Sequence, residues 1–230
     1  MTEPFLELRN FSVYRGGRAI LTNLNIVLHR GEKIVIAGVN GVGKTSLAEA
    51  ILGFVPFKGE LILEGKPVKE KKDFKILRRK VGYVFQNPDN QLFMPTVRDE
   101  LLFAPKNYKL PEEIVEKLFQ KVVNTFNLTH LLDRPTFKLS FGQKRLVSLA
   151  CVLTYDPEML ILDEPTNGLD RENWFKVAEF LKKSDKTLMV ITHDRELISF
   201  LGWKVIYLSS LSFVTSYPPK EELKENLRKG

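Results

Sequence analysis

Cysteine is nearly missing from this chain: one residue, Cys151, in 230. No internal disulfide can form, and a single thiol cannot build a zinc site. Cys151 lies in an apolar run with helical spacing, so an inert core thiol is expected rather than a reactive one. Long hydrophobic runs are also missing. The longest, residues 146–153, is interrupted by Ser148 and is far too short to cross a bilayer. The first residues, Met1-Thr2-Glu3-Pro4, open with an acid and lack the charged-then-apolar pattern of a signal peptide, so a cytoplasmic protein is expected. Neither internal repeats nor low-complexity segments occur. Nucleic-acid motifs and aromatic stacking series are absent beside the basic residues, so the net charge of +7 predicts no nucleic-acid partner. The basic excess is densest over residues 66–80 and reads as a solvated surface, with attraction to an anionic membrane surface second.

Hydrophobic residues make up 43% of the chain and charged residues 27%, which excludes disorder and allows one large core, or a core with a smaller appended lobe. Residues 5–13 alternate apolar and polar, as a half-buried strand does, and residues 20–28 do so less cleanly after the Gly16-Gly17 turn. Residues 33–37, 159–162 and 187–191 are short continuous apolar runs, the signature of strands buried on both faces. Residues 60–63 and 81–85 are further short strands. Helices are predicted over residues 44–52, 96–104, 112–126, 141–153 and 171–183, and from Arg195 onward, with Pro111 in the first turn of the third. The β/α alternation predicts an α/β fold with a mainly parallel sheet covered by helices, and an antiparallel β region at the N-terminus. Residues 88–155 predict no strand and read as a helical lobe inserted between two parts of the core, residues 1–87 and 156–215. Residues 216–230 form a short charged tail.

Gly38-Val39-Asn40-Gly41-Val42-Gly43-Lys44-Thr45 fits the phosphate-loop pattern between a buried strand and a helix. Its glycines let backbone N–H groups turn toward phosphate oxygens, and the helix adds its positive end. Lys44 would reach the β- and γ-phosphates, and the Thr45 hydroxyl would ligate Mg²⁺. The apolar run 159–162 delivers Asp163 and Glu164 to the carboxyl edge of the sheet, where open α/β sheets bind ligands. There Asp163 would hold Mg²⁺ and Glu164 would polarise a water. ATP binding and hydrolysis is the chemistry these residues predict.

Residues 5–208 resemble the nucleotide-binding subunits of ATP-binding cassette transporters, a group of P-loop ATPases. Six motifs in the family's order carry the resemblance. Besides the phosphate loop, Leu139-Ser140-Phe141-Gly142-Gln143 is similar to the signature sequence. The run from Asp163 to Asp170 is similar to the acidic strand end joined to the D-loop. His193 matches the switch histidine, Gln86 the Q-loop glutamine, and Tyr14 the aromatic that stacks on adenine. The resemblance implies that Gly38, Asn40, Gly41, Gly43, Lys44, Thr45 and Ser46 hold nucleotide. It implies that Gln86 binds Mg²⁺ or the attacking water and that His193 donates to the γ-phosphate. Ser140, Gly142 and Gln143 would contact ATP bound by a second ATPase subunit, so that two chains sandwich two nucleotides, with Asp170 helping to join them. The signature's usual third residue is glycine. Phe141 there implies either altered dimer fit or a harmless change with the ring pointing at the lobe core.

Residues 84–105 resemble the segment after the Q-loop in ATPases of energy-coupling factor importers, which take up vitamins or cobalt and nickel ions. That resemblance implies an integral-membrane coupling subunit that also engages a substrate-binding membrane subunit. It places the chain at the cytoplasmic face of the membrane, with Leu92, Phe93 and Met94 suited to a groove for a coupling helix. Homodimer and heterodimer stay open. So do an ATPase of another transporter of the superfamily and a soluble one acting on nucleic acid or ribosomes. Against the last stand a single cassette and the lack of a long heptad run.

Overall fold

The computed structural model describes residues 3–208 and 214–216. Along the chain run β1 (Pro4–Arg15), β2 (Arg18–His29), β3 (Lys33–Gly38), α1 (Lys44–Ile51), β4 (Phe57–Leu63), β5 (Lys66–Pro67), α2 (Lys71–Lys80) and β6 (Val81–Val84). There follow α3 (Val97–Asn107), α4 (Glu112–Phe126), α5 (Phe141–Leu153), β7 (Met159–Asp163), α6 (Arg171–Lys183), β8 (Thr187–Ile191), α7 (Arg195–Leu201), β9 (Lys204–Leu208) and β10 (Val214–Ser216). The expected α/β fold is present. β1, β2, β4 and β5 form an antiparallel sheet in the order β2-β1-β4-β5. The other sheet runs β10-β9-β3-β8-β7-β6 and is parallel except for β10, which pairs antiparallel with β9.

The continuous apolar strands divide their side chains between two cores. Val35, Leu160, Leu162, Leu188 and Val190 face one cluster, which takes in α3, α4, α5, α6 and α7. Ile34, Ile36, Met159, Ile161, Met189 and Ile191 face the other, shared with α1 and the antiparallel sheet. A strand with both faces buried has no polar face to show, which is why alternation is missing from these runs. The helices between β6 and β7 share their apolar cluster with one face of the parallel sheet. Among the described residues no helix is long and apolar enough to cross a membrane. Cys151 is buried, and burial pushes its thiol well above the ordinary range, as an inert core cysteine requires.

Several elements differ from expectation. α2 was not foreseen: only Leu77 of its residues is buried, so no apolar period marks it. Instead a capping box of Glu70 and Asp73 starts it. Nor are all its basic residues solvated. Arg78 Nη1 donates to Leu52 O at 2.9 Å, Arg79 Nη1 to Tyr155 O at 2.8 Å, and Lys80 Nζ to Glu64 Oε2 at 2.7 Å. β5, β9 and β10 were also unforeseen; β9 is placed by parallel pairing with β3, a contact far away in sequence. Pro111 is the N-cap of α4 at φ −55°, ψ 140°, one position before its first turn. α3 extends to Asn107 and carries Pro105 inside it. Of the expected tail, residues 217–230 lie outside the described residues.

Pairing registers place the site. Val84 lies beside Leu162, Asp163 beside Ile191, and Ile191 beside Ile36. The loops that follow β3, β6, β7 and β8 therefore leave from one edge of the sheet.

Candidate active site

β3 ends in a loop with no room for a side chain at two of its glycines. A Cβ on Gly38 (φ +152°) would lie 2.4 Å from the Leu208 carbonyl oxygen, and one on Gly43 (φ +108°) 2.7 Å from Ile20 Cγ2. Bare backbone alone passes here. Gly43 is the N-cap of α1 and gives it no side-chain cap, and the first turn carries no acid. The N-terminal amides of α1 and the positive end of its dipole are thus left for an external anion. Ser46 is buried in that first turn, and Asn40 is exposed at the loop's tip near Gly41, which has φ +80°. Lys44 Nζ donates to Gly38 O at 2.8 Å and Val39 O at 3.1 Å. Burial lowers the pKa of its ammonium, while Glu164 and Asp163 oppose the shift.

Thr45 Oγ1 donates to Asp163 Oδ2 at 2.6 Å, joining the loop to the end of β7. The Tyr83 hydroxyl lies 3.5 Å from the same oxygen. Asp163 is 1% exposed. Its pKa is pushed up to about 6, mainly by burial and further by Glu164, against the Thr45 hydrogen bond and the charges of Lys44 and Arg145. A hydroxyl and a buried carboxylate are the hard oxygen donors that Mg²⁺ prefers, and a cation there would offset the cost of the buried charge. Two protein oxygens are few for an octahedral ion, so phosphate and water oxygens would complete it.

Glu164 turns the chain out of β7 at φ +49°, a left-handed conformation that costs about 1 kcal/mol in a residue with a side chain. Its surroundings hold it there. The Glu164 N–H donates to Ile191 O at 2.8 Å. The carboxylate accepts from Thr192 Oγ1 at 2.9 Å and from the His193 N–H at 3.2 Å, and Oε1 lies 2.6 Å from His193 Nδ1. With Nδ1–H donating, Nε2 is left for another partner. The result is a 4% exposed carboxylate aimed by a neighbouring hydroxyl, amide and imidazole, beside Thr45, Asp163 and Lys44. Such a group can orient a water and take its proton.

Gln86 follows β6 at the same edge. Its side chain is exposed, and its carbonyl accepts from Arg145 Nη2. Tyr14 lies opposite Ala19 in the β1–β2 pair, one residue before the Ile20 that crowds Gly43, so the hairpin brings it beside the loop. Tyr14 is half-buried, with the Lys58 ammonium 5.3 Å from its ring centre.

Ser140, Gly142 and Gln143 form a separate group. Ser140 Oγ accepts from the Gln143 N–H at 3.3 Å and the Gln143 side chain accepts from Ser140 N–H at 3.0 Å, a capping box that starts α5. A Cβ on Gly142 would be 3.5 Å from Gly168 O and 3.7 Å from Leu169 Cδ2, so this helix start rests on the loop before α6. Asp170 caps α6, accepting from Asn173 N at 2.9 Å and Asn173 Nδ2 at 2.8 Å, and these bonds hold its pKa below the ordinary value. Phe141 does not point at the core: it is 44% exposed and its ring lies against Gly168.

Tyr83, Thr192 and Arg145 belong to this region and were not singled out from the sequence. Arg145 is marked only by standing beside Lys144, just ahead of the apolar run of α5. Thr192 is marked only by being next to His193, and Tyr83 only by its place in a strand.

Comparison with known proteins agrees with this geometry. Residues 21–167 match the ABC transporter family. A putative ABC transporter ATP-binding protein of Brucella suis is 40% identical over 206 residues, 90% of this chain and 86% of that one. An energy-coupling factor transporter ATP-binding protein EcfA of Methanocaldococcus jannaschii is 37% identical over 224 residues, 94% of this chain and 80% of that one. The solved structure of cbiO1 from Clostridium perfringens, described as part of the ABC transporter complex cbiONQ, superposes with a TM-score of 0.83. It is 33% identical, and the match covers 99% of this chain and 94% of that one.

Proposed function

The chain belongs to the ABC transporter family and is one of its ATP-binding, ATP-hydrolysing subunits, and on that premise we propose that it drives an importer of the energy-coupling factor type, taking up a vitamin or a transition-metal ion. The observation that carries this reading is the segment after Gln86. Phe93 is 65% exposed and stacks edge-on against the exposed Phe103 at 4.8 Å. The loop that bears it is fastened from behind. Buried Glu100 accepts from the Phe93 and Met94 N–H groups at 2.9 and 2.7 Å, and Thr136 Oγ1 donates to Met94 O at 2.6 Å. An aromatic pair held out between a fastened loop and α3 suits the docking of an apolar helix, here one from an integral-membrane coupling subunit. The relatives named as energy-coupling factor subunits support the same reading.

In this reading the glycine loop and the N-terminus of α1 bind the phosphates of ATP, and Lys44 neutralises their charge. Thr45, Asp163 and Gln86 would hold Mg²⁺, which would draw charge from the phosphate oxygens. Glu164 aims the attacking water and takes its proton, while His193 bridges Glu164 and the γ-phosphate. Tyr14 stacks on the adenine. Ser140, Gly142 and Gln143 face the nucleotide of a second ATPase subunit, like or unlike, and Asp170 stands at the junction. Residues 88–155 act as the helical lobe that passes closure to the membrane subunit. The chain is then peripheral, at the cytoplasmic face.

The test is capture of the tagged chain from mild detergent extract of its own cell. Recovery of a coupling membrane subunit with a small substrate-binding membrane protein, lost in Phe93→Ser, is the expected result. Recovery of a large multispanning permease, or of ribosomes, would overturn the importer class and leave the ATPase.

A further inference from the structure

Phe141 stands where the resembling signature has glycine, and it occupies space that another residue has yielded. A Cβ on Gly168 would lie 2.5 Å from Phe141 Cδ1 and 2.6 Å from Cε1, so the ring edge lies on that glycine's Cα. Gly168 is at φ +74°, a conformation a side chain would strain as well. One turn along α5, the Arg145 guanidinium is 5.5 Å from the Phe141 ring centre. That guanidinium is 1% exposed and donates to Phe85 O at 2.6 Å and to Gln86 O. Its Nε has no hydrogen-bond partner among the described residues. The two carbonyls and the ring hold it, with the charges of Asp163 and Glu164 adding to them. The loop leading to Gly168 is fastened at its other end too: Thr166 Oγ1 donates to Asp194 Oδ2 at 3.0 Å, and Trp174 Nε1 donates to the same oxygen at 2.8 Å, next to His193.

We propose that Phe141 is a positioning residue whose ring clamps the loop at Gly168 to the start of α5 and, through Arg145, to the backbone of Gln86. The clamp orders in advance two segments that face the nucleotide from different chains. It rests on the reading in which two subunits sandwich ATP. A loop already ordered loses less conformational entropy when the subunits close, so the ring lowers the ATP concentration needed for closure. Its ring touches none of the groups placed at the reacting phosphate and reaches Gln86 only through that residue's backbone carbonyl, so its effect falls on closure rather than on the chemical step. A glycine at this position would free the Gly168 end.

The experiment measures ATP turnover of the full chain, in the assembly in which it is purified, against ATP and against protein concentration. Amide hydrogen exchange is followed alongside. Phe141→Gly is expected to raise KM for ATP about threefold or more with kcat changed less than about twofold. Exchange should quicken together at residues 166–170 and 85–87. Phe141→Tyr, which keeps the ring, should match the parent. Gly168→Ala, which displaces the ring from the other side, should reproduce the KM rise; it serves also if Phe141→Gly does not fold. An unchanged KM in both Phe141→Gly and Gly168→Ala overturns the inference, as does a fall in kcat alone, failure of Phe141→Tyr, or faster exchange confined to the start of α5. Parent turnover that stays proportional to protein down to concentrations where pairs dissociate would instead overturn the sandwich reading and the inference with it.

Discussion

Asp163 is the residue whose charge the fold opposes most directly. Its pKa of about 6 stands above the ordinary aspartate value of 3.8 because it is buried. In metal-free protein the folded state therefore holds this proton more tightly than the unfolded chain. Stability is then highest below about pH 4 from this group and is lost as pH rises through about 6, a contribution of about 3 kcal/mol. Asp163→Asn should abolish that slope: melting temperatures of the metal-free variant and parent should diverge, in favour of the variant, between pH 4 and 8. A parallel pair of curves would refute the assignment. Glu164 is different, since a hydroxyl, an amide and an imidazole converge on its carboxylate. Glu164→Gln keeps the shape and removes the base. ATP binding by equilibrium dialysis should be retained while phosphate release falls at least about 100-fold. Ordinary turnover by that variant would remove Glu164 from the catalytic role.

Four helices here start on a side-chain cap, while α1 and α4 do not. Thr96 caps α3, Ser140 with Gln143 caps α5, Asp170 caps α6 and Asp194 caps α7. Three of those caps lie inside the resembling motifs, so part of what the motifs encode is where a helix begins. In the loop between β6 and α3, a buried acid and the Thr136 hydroxyl fasten the backbone at residues 93 and 94. Glu100 is 4% exposed, and burial raises its pKa against the pull of the two amides it accepts from. Glu100→Ala would leave the Phe93 and Met94 amides without that acceptor, at a cost of about 1–3 kcal/mol. The expected outcome is a lower melting temperature and weaker capture of the membrane subunit, with ATP binding unchanged. Unaltered capture would mean that the loop does not depend on Glu100 for its shape.

At the scale of the molecule, one mainly parallel sheet separates two cores, and the ends of β3, β6, β7 and β8 leave from one edge of it. Cys151 reports on the first core. Its labelling by a thiol reagent should be slow in native protein and should follow unfolding when denaturant is added. Fast labelling without unfolding would mean that the helices between β6 and β7 open on their own. Much was legible in the sequence because it is encoded locally. The runs at β3, β7 and β8 carry buried-strand patterns, and the glycine loop needs residues without Cβ at fixed spacing. α4 has an apolar period of which Val122 and Phe126 are buried, with Phe119 and Val123 beside them, while Ile114 at its start stays 42% exposed. α2 escaped because it buries one residue, and β9 because its place depends on pairing with β3. Thr192, Tyr83 and Arg145 escaped because their partners, Glu164, Asp163 and the carbonyl of Gln86, lie 28, 80 and 59 positions away. By itself, then, the sequence determined where a loop bare of side chains opens a helix, and most of the helices and buried strands, since propensity, periodicity and loop sterics act over a few residues. Only the tertiary structure decided that Thr45 meets Asp163, that His193 meets Glu164 and that Phe141 lies on Gly168, because sheet register and helix packing set those distances between segments far apart in the chain.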